Sequence, residues 1–466
     1  MVERIGAPVR SAPEVASPTG MSGISIPPVY TVVDLFCGCG GLSHGFSLTR
    51  RFRTLLGLDN KPEATESFAL NCPDDPVMMT TDIRDSVTKE QLLQNLGTYG
   101  ITGPRQLSCL IGGPPCEGFS QNRVERSAEG SGGRITKFTD DPRNKLFKWF
   151  IEIASELQPR VILIENVPDI LRHRDGETAR EIIEDLRELG YLTTARVLNA
   201  ADYGVPQLRR RAFFLAYRQE DYETSRVRLE FPNVTHSPYP LGHELLDKDP
   251  EWFPGDMGFW PSVREAIGDL PRPADGKASR LDGWTPYEGH HPSSDLRRFL
   301  AASEGGTWNH IARPLGKNGL QRVKELDNLD ADVLHQRRRD RVHYHYAYSR
   351  LRWAEPARTI TKFVYHVGSG MFCHPDEDRA VTIREAARLQ TFPDHFKFPA
   401  YTIRDVSSLV GSAVPPLLAR AIARQVVRYL DTVTLHGLSS VARSELRELK
   451  GDAVVRRLEN NDWLPA

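Results

Sequence analysis

Tyr30-Thr31-Val32-Val33-Asp34-Leu35-Phe36-Cys37-Gly38-Cys39-Gly40-Gly41-Leu42 decides the fold. Thr31–Phe36 reads as a short apolar strand that runs straight into a glycine cluster. The same pattern recurs downstream. Thr54–Leu58 is a second strand ending at Asp59, and Val77-Met78-Met79 a third ahead of Asp82. Leu107–Ile111 is closed by Gly112-Gly113-Pro114-Pro115, and Arg160–Ile164 ends at Glu165. Arg211–Tyr217 is a further buried-strand candidate. Residues 145–157 place Leu146, Trp149, Phe150, Ile153 and Leu157 at helical spacing. Residues 178–189 do the same with Ile182, Ile183, Leu186 and Leu189, before Gly190 as a stop. Strands alternating with helices imply an open, mostly parallel sheet. Ligands of such sheets bind outside the carboxyl ends of the strands, which is where the glycines, the acids and the Pro-Pro-Cys fall.

The chain has 466 residues, enough for roughly three domains. With 39% hydrophobic and 26% charged residues it can build ordinary cores, which excludes a wholly disordered protein. Sixty basic against 61 acidic residues give a net charge of −1, so any nucleic-acid contact must come from a local basic face. The six cysteines form no Cys-x-x-Cys pair, which argues against a zinc ribbon and, at this length, against a disulfide framework. The apolar runs are far shorter than the ~20 residues of a membrane span. No secretory leader is expected, and the protein reads as cytoplasmic. Residues 1–29, rich in Pro, Ser and Gly, are expected to be a disordered leader. The strand–helix rhythm covers 30–218. A second, irregular domain and hinge is expected over 219–402. Residues 403–430 would return to the first domain, with helical stretches at Ile383–Leu389 and from Pro416 to about Tyr429. Residues 431–466 would be a helical appendix.

Four constellations carry chemistry. In the first, Gly38, Gly40 and Gly41 let backbone approach a ligand. Ser43 occupies the third glycine position of a dinucleotide fingerprint and so breaks it. Asp34 ahead of the turn suits a positively charged amino group, Asp59 ribose hydroxyls, and Asp82 an adenine amino group. Together they favour an adenosyl amino acid over a nicotinamide dinucleotide. The second is Pro114-Pro115-Cys116, a stiffly held thiol at a strand end, either a nucleophile or a small buried apolar residue. The other five cysteines are read as structural. The third is Glu165-Asn166-Val167. A carboxyl group at the end of an apolar strand is expected to have a raised pKa and to hold a proton near neutrality, unless it is a helix cap or salt bridge. The fourth is Gln207-Leu208-Arg209-Arg210-Arg211, whose guanidinium forks suit carbonyl and phosphate oxygens.

This set resembles the DNA cytosine-5 methyltransferases. That family has, in order, a D-L-F-x-G-x-G-G turn, a P-P-C loop, an E-N-V strand end and a Q-x-R-x-R strand start. It ends with T-x-R-E-x-A-R-L-Q-x-F-P-D and G-N-x-V-P-P. Thr382–Asp394 and Gly411-Ser412-Ala413-Val414-Pro415-Pro416 supply the last two here. The resemblance covers about 30–218 and 355–430. It implies the Rossmann-like methyltransferase fold, with helices on both faces of a mixed, mostly parallel sheet and a smaller target-recognition domain. It implies S-adenosylmethionine as cofactor and double-stranded DNA as partner. Cys116 would attack cytosine C6, Glu165 would contact N3 and the exocyclic amine, and Arg211 would hold O2, with Arg209 on O2 or phosphate. Phe36 would stack near the adenine, Asp59 meet the ribose, and Asp82 and Ile83 the adenine. Pro115 and Leu146 would line the pocket, and Gly38 and Gly40 would approach the amino-acid end. Two departures stand out: Ser412 replaces the usual Asn, and Glu117 the usual Gln after the cysteine. The target base would be flipped out, with the Gly-rich loop 117–142 closing over it.

Residues 335–353 contain six arginines and one aspartate, a local charge of +5. Arg337, Arg338, Arg339 and Arg341, with Tyr344 and Tyr346 alternating as in a strand, are expected on DNA. The histidines among them lack the further ligands of a metal site, so no metal is expected. A monomer is expected, accompanied in a restriction-modification setting by an endonuclease acting on the same sequence. Two other readings compete: an RNA cytosine methyltransferase, and a catalytically silent DNA-binding homologue. The length of 219–355 argues against the first, and intact Cys116, Glu165 and Arg211 against the second.

Overall fold

The computed structural model describes residues 29–115, 146–238, 257–276, 281–286, 294–301, 305–327 and 346–437. Seven strands form the main sheet: β1 (Tyr30–Leu35), β2 (Phe52–Asp59), β3 (Val77–Thr80), β4 (Cys109–Gly112), β5 (Val161–Asn166), β6 (Tyr191–Asn199) and β8 (Arg210–Arg218). A short β7 (Gln207–Leu208) pairs elsewhere. The spatial order is β3-β2-β1-β4-β5-β8-β6. The first five run parallel, and β8 is antiparallel to both β5 and β6. Strand order reverses between β1 and β4, which makes their carboxyl ends the expected ligand crevice.

Side-chain alternation builds a core on each face. Val32, Cys109, Ile111, Leu163, Phe213 and Leu215 point to one side, toward α1 (Gly41–Ser47) and the helix Pro416–Gly437. Val33, Leu35, Leu110, Ile162, Ile164 and Phe214 point to the other. There they meet α3 (Thr88–Gly97), α4 (Leu146–Leu157) and α5 (Glu177–Glu188). Each such side chain, once buried, contributes roughly 1.5–3 kcal/mol. Strand β6 was absent from the sequence reading. Its Thr194 and Arg196 are exposed and its Thr193 only partly covered, so it lacks the continuous apolar run of its neighbours.

The C-terminal helix is a core element. Ile403–Thr434 is apolar and long enough to cross a membrane by length and composition, but most of it is buried inside the protein. It seats against α1 because α1 has glycines on that face. A Cβ on Gly45 would lie 2.6 Å from the Pro416 carbonyl oxygen, and one on Gly41 would collide with that of Val414. A buried triad ties it to the first strands. Asp431 accepts from the Tyr30 hydroxyl at 2.6 Å and from both terminal nitrogens of Arg51 at 3.0 and 2.5 Å.

Beyond β8 the chain forms short strands and helices. Leu229, Phe231, Leu296 and Leu300 still join the core on the main sheet. A separate core gathers Val263, Leu351, Ile360, Phe372, Phe392, Phe396 and Phe398, together with Cys39 from the glycine turn. The helix Ile383–Leu389 starts with a capping box between Thr382 and Glu385. Its arginines face inward. Arg388 pairs with Asp394 and, at 2.6 Å, with Asp269, while Arg384 donates to the carbonyls of Trp308, Pro393 and Phe396. The strand expected through Tyr346 and Tyr348 is instead a turn at 346–348. Tyr348 has φ +63°, which ends an extended run, and its N–H donates to the Val367 carbonyl.

Candidate active site

The glycine turn leaves β1 with Phe36 at φ +58°, a left-handed conformation rare for an aromatic residue. Two hydrogen bonds hold it there: Cys37 N–H to the Leu58 carbonyl at 3.0 Å, and Gly38 N–H to Asp59 Oδ2 at 3.0 Å. The glycines have different jobs. Gly38, at φ +54°, has nothing within 4 Å of where a Cβ would sit, so it opens onto free space. A Cβ on Gly40 would stand 2.8 Å from the Phe68 ring, and Gly41 faces Val414. Gly41, expected at the cofactor, therefore serves close packing against the C-terminal segment.

Asp34 is buried beneath the turn, where its Oδ2 accepts from the Ser43 hydroxyl at 2.6 Å. Burial pushes its carboxyl up to about 7; Ser43 opposes the rise, and nearby Asp59 adds to it. The carboxyl expected to suit an amino group is thus engaged within the protein, by the Ser43 hydroxyl. Asp59 also accepts the Lys61 N–H, and burial raises its pKa as well. Asp82 is engaged by Arg84, which grips it with Nε at 2.9 Å and Nη2 at 2.6 Å. That bond holds the Asp82 carboxyl below its usual range. Ile83 and Leu146 are buried, while Pro115 and Ser412 are exposed. Ser412 ends the helix Ile403–Ser412, and the next residue, Ala413, lies over Gly41. The C-terminal motif thus reaches the rim of the glycine turn. Burial raises the thiols of Cys37, Cys39 and Cys109, with Cys39 reaching about 12, which removes them as nucleophiles.

At the other side of β4 and β5, Glu165 Oε1 pairs with Arg211 Nε at 2.9 Å; their side chains are only 12% and 15% exposed. Burial raises the Glu165 pKa, against the charges of Arg211 and Arg209. Gly113 makes room, since a Cβ there would stand 3.0 Å from Glu165 Oε2. Asn166 was quoted in the sequence without a task. Its Nδ2 donates to the Pro114 carbonyl at 3.1 Å, fastening the Pro-Pro loop to the end of β5. Cys116 follows directly but lies outside the described residues, as do Glu117, Arg337, Arg338, Arg339, Arg341 and Tyr344. Tyr346 is described: Arg358 stacks over its ring at 4.6 Å and donates to its hydroxyl at 3.0 Å.

Arg209 departs from expectation. It is fully buried and donates to the carbonyls of Ile360 and Gly411, each at 2.9 Å. Gln207, two residues earlier on β7, accepts the Ile360 N–H at 2.7 Å and donates to the Leu389 carbonyl and Gln390 Oε1. Sequence reasoning had no signal for this, because all of these partners are more than 150 positions away.

The profile of the C-5 cytosine-specific DNA methylases matches residues 30–428, and the turn, Glu165–Arg211 pair and C-terminal motif all fall within it. The chain belongs to that family. Type II methyltransferase M1.HphI of Haemophilus parahaemolyticus is 32% identical over 85% of this chain and 87% of its own length. Type II methyltransferase M.AgeI of Thalassovita gelatinovora is 29% identical over 84% and 98%. In fold, the chain is similar to a putative DNA modification methyltransferase encoded within an E. coli prophage. That likeness has a TM-score of 0.62 at 23% identity, covering 86% of this chain and 99% of the other. The protein is thus an enzyme of the DNA (cytosine-5) methyltransferase class, with the mixed, mostly parallel sheet expected of it. In this methylase the carboxyl ends of β1, β2, β4 and β5 carry the turn, Asp59, the Pro-Pro loop and Glu165. Cofactor-side and base-side residues therefore share one edge of one sheet.

Proposed function

We propose that the protein methylates C5 of a flipped-out cytosine in a short double-stranded DNA sequence, with Cys116 forming a transient bond to C6. The observation that carries this reading is the Glu165–Arg211 pair, largely buried and fastened beside the Pro-Pro loop that leads into Cys116. Bound S-adenosylmethionine supplies the electrophilic methyl group. The residues at the glycine turn fit such a molecule. Gly38 opens onto free space, Ser412 is exposed at the rim, and two acids, the buried Asp34 and the half-buried Asp59, set up a negative field suited to a sulfonium. Phe36 and Asp59 would hold the adenosine, and Leu146 would back the pocket.

The protein's own groups do the rest. Cytosine C5 is a weak nucleophile until C6 is attacked. The Cys116 thiolate adds to C6, and a proton from Glu165 at N3 takes up the charge, leaving an enamine with its electron density at C5. The raised Glu165 pKa suits that proton. Arg211 orients the carboxyl and holds the base O2. Loss of the C5 proton and departure of the thiolate restore the ring. The arginines of 337–341 with Tyr344 and Tyr346 would meet the duplex. We infer a monomer acting in the bacterial cytoplasm, with a restriction endonuclease of the same specificity as the natural partner.

The test is bisulfite sequencing of DNA from cells expressing the protein beside a Cys116→Ser control. Methylation at one short motif, absent in the control, is expected. An unmethylated genome with folded, abundant protein would overturn the reading and direct the search to RNA.

A further inference from the structure

Three guanidinium groups enter the β7–β8 junction, and they differ in kind. Arg210 is exposed, Arg211 faces Glu165, and Arg209 points inward. Its two terminal nitrogens each bind a backbone carbonyl, one on the segment returning from the recognition region (Ile360) and one in the last turn of the helix Ile403–Ser412 (Gly411). Those two backbones touch each other. A Cβ on Gly411 would collide with the Thr361 carbonyl carbon and the Lys362 nitrogen. Arg209 therefore sits where three separate stretches of chain meet, bonded to Gly411 next to Ser412 on one side and two residues along the chain from Arg211 on the other. Gln207 and Gln390 extend the same knot, the latter donating to the Val410 carbonyl at 2.7 Å.

Tethering alone does not explain an arginine. Its Nε is buried without a hydrogen-bond partner, and an uncompensated buried cation is costly. A neutral amide could bind two carbonyls' worth of backbone with less desolvation. What the guanidinium adds is charge: burial and neighbouring Arg211 push its pKa well below the usual value, and Glu165, the anion it acts on, favours the charged form. Glu165 thus feels two cations, Arg211 in direct contact and Arg209 without one.

Building on the proposed function, we infer that Arg209 is a positioning residue that never touches DNA: it locks the C-terminal segment and the recognition return to the start of the active-site strand, and it adds a second positive charge that acts on Glu165. This separates it from the phosphate contact that its place in the strand suggests.

The test uses the full-length enzyme and the variants Arg209→Met, Arg209→Lys and, as an exposed control, Arg210→Gln. Thermal melts first establish that each variant is folded. The slope of log Kd for DNA against log salt is expected to be unchanged in Arg209→Met; a lost phosphate contact would reduce it by about 0.9. Turnover should fall by roughly 10–100-fold, since small misplacements near the chemistry have such effects, with KM for DNA little changed. The pH limb of kcat/KM set by Glu165 should move up in Arg209→Met by on the order of one pH unit, because a cation that favours the carboxylate has gone. Arg209→Lys keeps the charge but loses the fork, so its limb should stay while turnover still drops. A reduced salt slope, or a limb unmoved in the folded Met variant, overturns the inference. If Arg209→Met does not fold, Arg209→Lys decides, a shifted limb or a reduced salt slope overturning the inference. Wild-type enzyme run alongside keeps the two readings apart. An inactive wild type strikes at the proposed function, while the salt slope, read from binding alone, still tests Arg209.

Discussion

Asp34→Asn isolates the electrostatics beneath the glycine turn. Asp34 is buried, and its carboxyl titrates at about 7 in the folded protein against 3.8 for a free side chain. The folded state therefore holds the Asp34 proton between these values, whereas the unfolded chain has released it. Stability attributable to Asp34 is present below pH 4 and lost as pH rises through 7. That displacement corresponds to roughly 4 kcal/mol at full expression, an upper figure because water penetration and relaxation soften such costs. Asparagine can still accept from Ser43, but it does not titrate. Its amide adds a fixed cost of about 1–3 kcal/mol if it lacks a partner, the same at every pH. The assay is urea unfolding of wild type and Asp34→Asn at pH 5 and pH 8. Histidines whose pKa burial lowers, such as His310 and His374, pull stability the other way in both proteins and cancel in the difference. Relative to wild type, the variant should be more stable at pH 8 than at pH 5 by about 2–3 kcal/mol. The same variant should flatten the pH dependence of S-adenosylmethionine affinity, which in wild type should strengthen as Asp34 ionises. An Asp34→Asn difference that is constant between pH 5 and 8 would refute the reasoning.

Glu165→Gln keeps the shape of the carboxyl but removes the proton donor, and kcat should fall by roughly 10²–10⁴ with DNA affinity retained; single-turnover kinetics would reveal it, and near-normal turnover would exclude the role. Gly45→Ala drives a methyl group into Ala419 and the Pro416 carbonyl and should cost about 1–3 kcal/mol, read as a lowered Tm. Gly38→Ala meets no steric obstacle and strains only its φ of +54°, so it should lower stability by about 1–2 kcal/mol yet weaken cofactor binding more than the Gly45 variant does. Asp431→Asn breaks the buried triad with Arg51 and Tyr30 and should cost about 3–5 kcal/mol; a melt within a degree of wild type would show the triad to be dispensable.

The strand and helix pattern was legible where an element carries its own periodicity. The expected helix Ile383–Leu389 has those bounds, and α4 and α5 fall within a residue or so of expectation. The predicted strands from β1 to β5 and β8 were found with ends shifted by one or two residues. Failure came where burial is partial or context dominates. Strand β6 mixes polar and apolar residues at an edge, and the alternation around Tyr346 and Tyr348 was overridden by a turn that docks on Val367. Of the site, Glu165 and Arg211 were singled out by the motifs they complete, whereas their ion pair across β5 and β8 was not, because antiparallel pairing of those strands is a tertiary fact.

Chemistry that resides in one residue type at one local position was decided by the sequence alone: a thiol after two prolines, an acid closing an apolar strand, a glycine turn after the first strand. Tertiary structure decided which of several similar residues does which task. Gly38 opens to solvent while Gly41 packs on Val414; Arg211 meets Glu165 while Arg209 binds Ile360 and Gly411; Asp34 lies under the turn while Asp59 holds its backbone. The physical reason is that local sequence sets where a side chain starts, whereas its environment comes from segments as far as 401 residues away. Desolvation, partner charges and close backbone approach exist only once those segments have packed.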